Sequence, residues 1–172
     1  ASYYTPEVLT KSTVKYTLKG FVEKLDNGEI KAEDLLKFKI LEPAMGAAAF
    51  QNEVINQLAE LYLTYRQKER KLHISPHLYR DELQKVKAYI ATKNIYGVDL
   101  NPTAIELGKL SLWLNVIHKD METPFFGHRI ALGNAVIGAW FKAYDEDELC
   151  KMKNRQYVNT EWWTKAPHLL HF

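Results

Sequence analysis

Apolar residues near the start of the chain fall on one helical stripe, Val14, Leu18, Phe21, Val22 and Leu25, and this spacing predicts an amphipathic helix. Thr5-Pro6-Glu7 reads as its opening: Thr5 can cap free amides, Pro6 suits the first helical position, and Glu7 complements the helix dipole. Asp26-Asn27-Gly28 tolerates left-handed backbone and ends it in a turn. After a polar, charged stretch, Phe38-Lys39-Ile40-Leu41 predicts a short strand running into Glu42-Pro43. Gly46 then precedes a second long helix, with Phe50, Val54, Leu58, Leu61 and Tyr65 on its apolar face. The cations Arg66, Lys68, Arg70 and Lys71 gather at its end, as the dipole favours.

Residues 72–93 read as a more polar insertion containing a helix around Asp81 to Ala91. Ile95-Tyr96-Gly97-Val98-Asp99 is a strand that ends on a carboxylate. Asn101-Pro102 opens a helix whose Leu110, Leu112, Trp113, Leu114, Val116 and Ile117 leave little polar face, so deep burial is expected. Arg129 to Leu132 is a third short strand, leading into Gly133-Asn134. The order helix, strand, helix, helix, strand, helix, strand predicts a parallel sheet flanked by helices, an α/β architecture. The expected division is 1–36, an N-terminal helical segment; 37–139, an α/β core; and 140–172, a C-terminal segment ending on Trp162-Trp163 and Leu169-Leu170-His171-Phe172. An apolar ending, and a start at Ala1 rather than Met, lead us to expect a chain that belongs to something larger.

Composition narrows the class without naming it. With 172 residues, 47% apolar and 26% charged, the chain is an ordinary globular domain, long enough to bury roughly 70% of its unfolded surface. Its 23 Lys and Arg against 21 Asp and Glu leave only +2, so a nucleic-acid role needs a local basic patch. Cys150 is the single cysteine, which excludes an internal disulfide and a cysteine-built zinc site and fits a reducing, cytoplasmic compartment. No apolar run approaches a membrane span and the start has no signal-peptide pattern, so no membrane partner is expected.

Chemistry concentrates in two places. Glu42-Pro43-Ala44-Met45-Gly46 is a tight turn of small residues between a strand and a helix, the place where open α/β sheets bind ligands. Glu42 would repel phosphate and suits a cationic or amino-bearing ligand. Asp99, ending the next strand, is placed to accept from the two ribose hydroxyls of an adenosine cofactor. The gap between Glu42 and Asp99 exceeds the about 20 residues of a minimal nucleotide unit, and residues 72–93 account for the excess. The first loop holds only one glycine, Gly46, so the dinucleotide fingerprint is missing.

These segments resemble the S-adenosylmethionine-dependent DNA methyltransferases that modify the exocyclic amino group of adenine, in the arrangement with the cofactor motifs first. Tyr3-Tyr4-Thr5-Pro6 resembles motif X, Glu42 to Gly46 with Phe50 motif I, Asp99-Leu100-Asn101-Pro102 motif II, and Leu132-Gly133-Asn134 motif III. The resemblance implies a Rossmann-like class I methyltransferase fold, with S-adenosyl-L-methionine as cofactor and DNA as partner of the full-length protein. It implies that Tyr4, Thr5 and Pro6 line the methionine end and that Glu42, Pro43, Ala44, Met45, Gly46 and Phe50 wrap the methionine moiety. Asp99 would hold the ribose, Leu100 would pack on adenine, and Asn134 would meet the adenine edge. Two departures stand out: Ala47-Ala48 replaces the usual Ser-Gly, narrowing the room for cofactor, and the Asn/Asp-Pro-Pro-Tyr/Phe motif that holds and stacks on the target base is absent. No catalytic residue is therefore assigned in this chain, which reads as a cofactor-binding part, inactive alone, of a restriction-modification or phage-defence enzyme. An RNA or protein methyltransferase, and a catalytically silent module that kept the fold, are the alternatives.

The remaining features have simpler readings. Arg66, Lys68, Arg70, Lys71, Arg80, Lys85 and Lys87 could track a DNA backbone, but a solvated helix end with interspersed acids explains them as well. His73 and His77 have metal-pair spacing, yet Pro76 lies between them and no third ligand is evident, so no metal is expected. The first strand, Phe38 to Leu41, would be an unprotected sheet edge, through which the chain is expected to self-associate.

Overall fold

A computed structural model describes residues 5–119, 121, 126 and 129–136. The elements run α1 (Glu7–Asp26), α2 (Ala32–Leu35), β1 (Ile40–Glu42), α3 (Ala49–Arg70), α4 (Pro76–Lys93), β2 (Ile95–Asp99), α5 (Pro102–Val116) and β3 (Ile130–Leu132). The three strands form one parallel sheet in the order β1-β2-β3. Parallel neighbours need crossover connections, which the α3–α4 pair and α5 supply. This is the α/β architecture expected from the alternation of patterns. Tyr4 and the segment 140–172, with Cys150 and the Trp162-Trp163 pair, lie outside the described residues.

The helix ends follow local chemistry. Pro6, not Thr5, holds the capping position of α1 and makes no side-chain cap; its carbonyl accepts from Leu9 and Thr10, at 3.0 and 3.1 Å. The expected Thr5 cap is thus displaced by one residue, because proline's fixed φ accommodates the turn just before the helix. Gly28, at φ +73°, ends that helix in the expected turn. The charged stretch after it hides a short helix, α2, in which Asp34 Oδ2 accepts from Lys31 N–H at 3.0 Å. Asn101 caps α5, its side chain accepting from Thr103 N–H at 2.9 Å. β1 begins two residues later than the apolar run suggests. Phe38 packs on Phe21 with ring centroids 4.5 Å apart and the rings tilted by 43°, and the Leu36 and Phe38 carbonyls are taken by the buried Asn94 amide rather than by a strand.

One core unites the elements, built from Leu35, Ile55, Leu58, Leu63, Ile90, Ile95, Leu112 and Val116, all nearly or fully buried. The stretch expected as an insertion supplies α4, whose Val86, Ala88, Ile90 and Ala91 are buried in that core. It interrupts the motif spacing in sequence and packs on α3 and α5 in space. The expectation that α5 is deeply buried needs correcting. Ala104, Ile105, Gly108, Leu112 and Val116 face inward, whereas Leu107, Leu110, Leu114 and Ile117 are 46–58% exposed. A helix against a sheet buries only one side, and among the described residues no second layer covers the other. No helix among the described residues is long and apolar enough to cross a membrane.

Candidate functional site

The loop between β1 and α3 and the end of β2 meet at the carboxyl ends of the strands. Register places Glu42 beside Gly97 and Asp99 beside Leu132. From there the loop closes on β2 twice: Met45 N–H donates to the Val98 carbonyl at 3.0 Å, and Gly46 N–H donates to Asp99 Oδ2 at 2.8 Å. The other Asp99 oxygen accepts from Asn101 N–H at 2.8 Å. Glu42 folds back on its own turn, Oε1 accepting from Ala44 N–H at 3.2 Å.

Backbone conformation shapes the turn. Gly46 has φ +52°, which only glycine adopts without penalty. Ala48, immediately before α3, has φ 67° and is fully buried. That is the second residue of the Ala47-Ala48 departure, so an L side chain occupies a left-handed position there. Its N–H donates to the Met45 carbonyl at 2.9 Å and its own carbonyl receives Asn52 N–H at 2.9 Å, which starts the helix. The first amides of α3 beyond that point have no acceptor within the helix and face the same end of the sheet.

The structure brings Glu42, Pro43, Ala44, Met45, Gly46 and Asp99 together in this one loop and strand end. Met45 is buried, with its side chain behind the loop. Leu100, next to Asp99, is 61% exposed. Asn134 follows β3, and its side-chain oxygen accepts from Val136 N–H at 3.0 Å, forming a local turn. Phe50 opens α3 and, with Glu42, lines a groove of about 530 Å³ walled by α1, β1 and α3. Thr5 and Pro6 are not joined to the loop by any hydrogen bond between described residues. They lie at the same end of the molecule, because α1 runs alongside α3 in the same direction, tied by Gln57 Nε2 to the Lys11 carbonyl at 3.1 Å and Tyr65 Oη to Asp26 at 2.5 Å.

Sequence reasoning passed over Gln51. It is 1% exposed in the first turn of α3, and among the described residues neither its amide oxygen nor its nitrogen has a hydrogen-bond partner. Its place on the helix was visible in the sequence, but its direction toward β2 was not. The basic run at the end of α3 does local work: Arg70 pairs with Glu33 at 2.5 Å, Glu69 accepts from Ala32 N–H at 2.8 Å, and Arg66 and Lys68 lie over the Tyr62 and Tyr65 rings. His73 and His77 fall on either side of the start of α4.

Over 135 residues the chain is 31% identical to a protein of Methanocaldococcus jannaschii whose name describes it as a candidate type II restriction enzyme and methyltransferase. The match takes in 72% of this chain and 10% of that protein, so the chain spans about a tenth of the relative's length. No protein-family model matches the chain, and no solved structure matches it.

Proposed function

We propose that this chain is the S-adenosylmethionine-binding part of a larger adenine-specific DNA methyltransferase of a restriction-modification or phage-defence system. The observation that carries the reading is Asp99, a carboxylate at the end of β2 held by the loop that follows β1. Support comes from the four ordered motif resemblances and from the name of the Methanocaldococcus jannaschii relative.

The donor set fits the cofactor. A carboxylate offers about four acceptor directions; Asp99 uses two on Gly46 and Asn101, leaving two for a ribose diol. Glu42 spends one on Ala44 and keeps acceptor capacity for a cationic amino group. In this reading Leu100 supplies apolar surface for the adenine ring and Asn134 meets its edge. Pro43, Ala44, Gly46 and Phe50 wrap the methionine end, Tyr4, Thr5 and Pro6 line it, and Met45 contributes from behind the loop. When bound, the cofactor supplies a methyl group activated on a sulfonium. The work of these residues is to bind and orient it, and the target base is met by residues of the larger protein.

Calorimetric titration of the chain with S-adenosylhomocysteine, in parallel with Asp99→Ala, tests the assignment. Micromolar binding that the variant weakens by about 1.5–3 kcal/mol, the scale of hydrogen bonds to a charged group, is the expected result. Absence of binding to a folded chain would move the silent-module reading ahead. For the full-length protein, methylation of adenine in duplex DNA is expected, and transfer to RNA or protein alone would overturn the substrate assignment.

A further inference from the structure

The Met45 side chain bridges two elements that the chain places far apart. A Cβ added at Gly97 in β2 would lie 2.5 Å from Met45 Sδ, and one added at Gly108 in α5 would lie 2.5 Å from Met45 Cε. Both distances are shorter than real contacts allow, so the thioether runs through room that exists only because these positions carry no side chain. The Gly46 carbonyl is 3.3 Å from the same Gly108 position, and Gln51 Nε2 is 2.7 Å from the Gly97 position. The loop, β2, α5 and the first turn of α3 therefore converge on one side chain, which is 4% exposed. Met45 is also fixed through its backbone, donating to Val98 and accepting from Ala48.

We propose that Met45 is a positioning residue: seated between Gly97 and Gly108, it sets the place of the Gly46 N–H on Asp99 and so shapes the loop before any ligand arrives. A methionine is suited to the task because its unbranched, adaptable chain fills a narrow, irregular gap. Only the ligand-binding arm of the test below rests on the proposed function; the placement of Gly46 is measured without ligand.

The primary measurement is hydrogen exchange at the Gly46 amide in the free protein, with amides in the middle of α3 as the internal reference for global stability. Met45→Ala is expected to lower Gly46 protection by about tenfold more than it lowers the reference, the mark of a local opening. Met45→Leu, close in volume but lacking the ε atom that reaches Gly108, should lose less protection than Met45→Ala. Gly108→Ala should produce the same local loss, and combining it with Met45→Ala should add little, because both act through one contact. If Met45→Ala does not fold, Met45→Val, too short to reach Gly108, carries the same expectation. Titration with S-adenosylhomocysteine should show about tenfold weaker binding for the alanine variant, about 1.4 kcal/mol, and a smaller loss for the leucine variant. Equal losses at Gly46 and at the reference amides, or fully additive effects of the pair, would reduce Met45 to core filling and overturn the proposal. Failure of the unaltered chain to bind this probe would count against the proposed function while the exchange result still decided the role of Met45.

Discussion

Gly46 N–H donates to Asp99 Oδ2 at 2.8 Å across 53 residues of chain, and the same carboxylate accepts from Asn101 N–H on its other oxygen. One side chain thus holds the loop before α3 and the turn before α5. Asp99→Ala releases both amides. Because Asp99 is partly exposed and water can replace some of what is lost, a loss of about 1–2 kcal/mol in urea unfolding is expected. An unchanged midpoint would show that water satisfies both amides equally well.

Both amide atoms of Gln51 are buried with no hydrogen-bond partner among the described residues. Leaving such groups dry costs about 1–3 kcal/mol. Gln51→Leu, similar in size and apolar, is expected to raise the unfolding midpoint accordingly. A fall in stability would mean that the amide has partners in solution.

At Ala48 the left-handed backbone and complete burial act together. A β-branched side chain fits neither, so Ala48→Val should cost about 2–4 kcal/mol. Ala47→Val, at a half-buried position with ordinary φ, should cost less than about 1 kcal/mol. Thermal unfolding of the two variants compares them directly, and equal costs would contradict the turn geometry.

Lys87 is half-buried between α4 and α5, donating to Asn115 Oδ1 at 3.4 Å. Burial pulls its pKa below the usual lysine value, with Glu60 and Glu53 opposing weakly. The folded state therefore releases the proton first. Stability from this site should rise with pH from the lowered folded value up to the ordinary 10.5, and the penalty is complete below that window. Lys87→Met should remove that slope and raise stability at neutral pH; an unaltered slope would place the titration elsewhere.

Among the described residues β1 lies at an edge of the sheet, and Leu41 on it is 54% exposed. Unpaired strand edges recruit other strands, and an edge lysine blocks this. The chain is expected to self-associate through this edge, and in light scattering that association should fall sharply in Leu41→Lys. The competing surface is the outer side of α5. If Leu110→Lys with Leu114→Lys suppresses association and Leu41→Lys does not, the edge explanation is wrong.

The sequence by itself determined the three strands, the four long helices and their order, though not the short α2. Spacing of 3.6 in α1 and α3, the Asp26-Asn27-Gly28 turn, the Asn101-Pro102 helix start and the alternating strand and helix patterns are local signals, each set by backbone geometry and neighbouring side chains. The loop from Glu42 to Gly46 and the strand end at Asp99 were legible for the same reason. Only the tertiary structure decided what depends on contacts between distant residues. It moved the start of β1 by two residues, because Phe38 packs on Phe21 and its carbonyl bonds to Asn94. It exposed one apolar side of α5, since composition cannot say how many layers cover a helix. It also aimed Gln51 inward and threaded Met45 between Gly97 and Gly108. Glycine in a strand or helix carries no sign of what will fill the space it leaves, and that is settled only when the chain brings the third residue there.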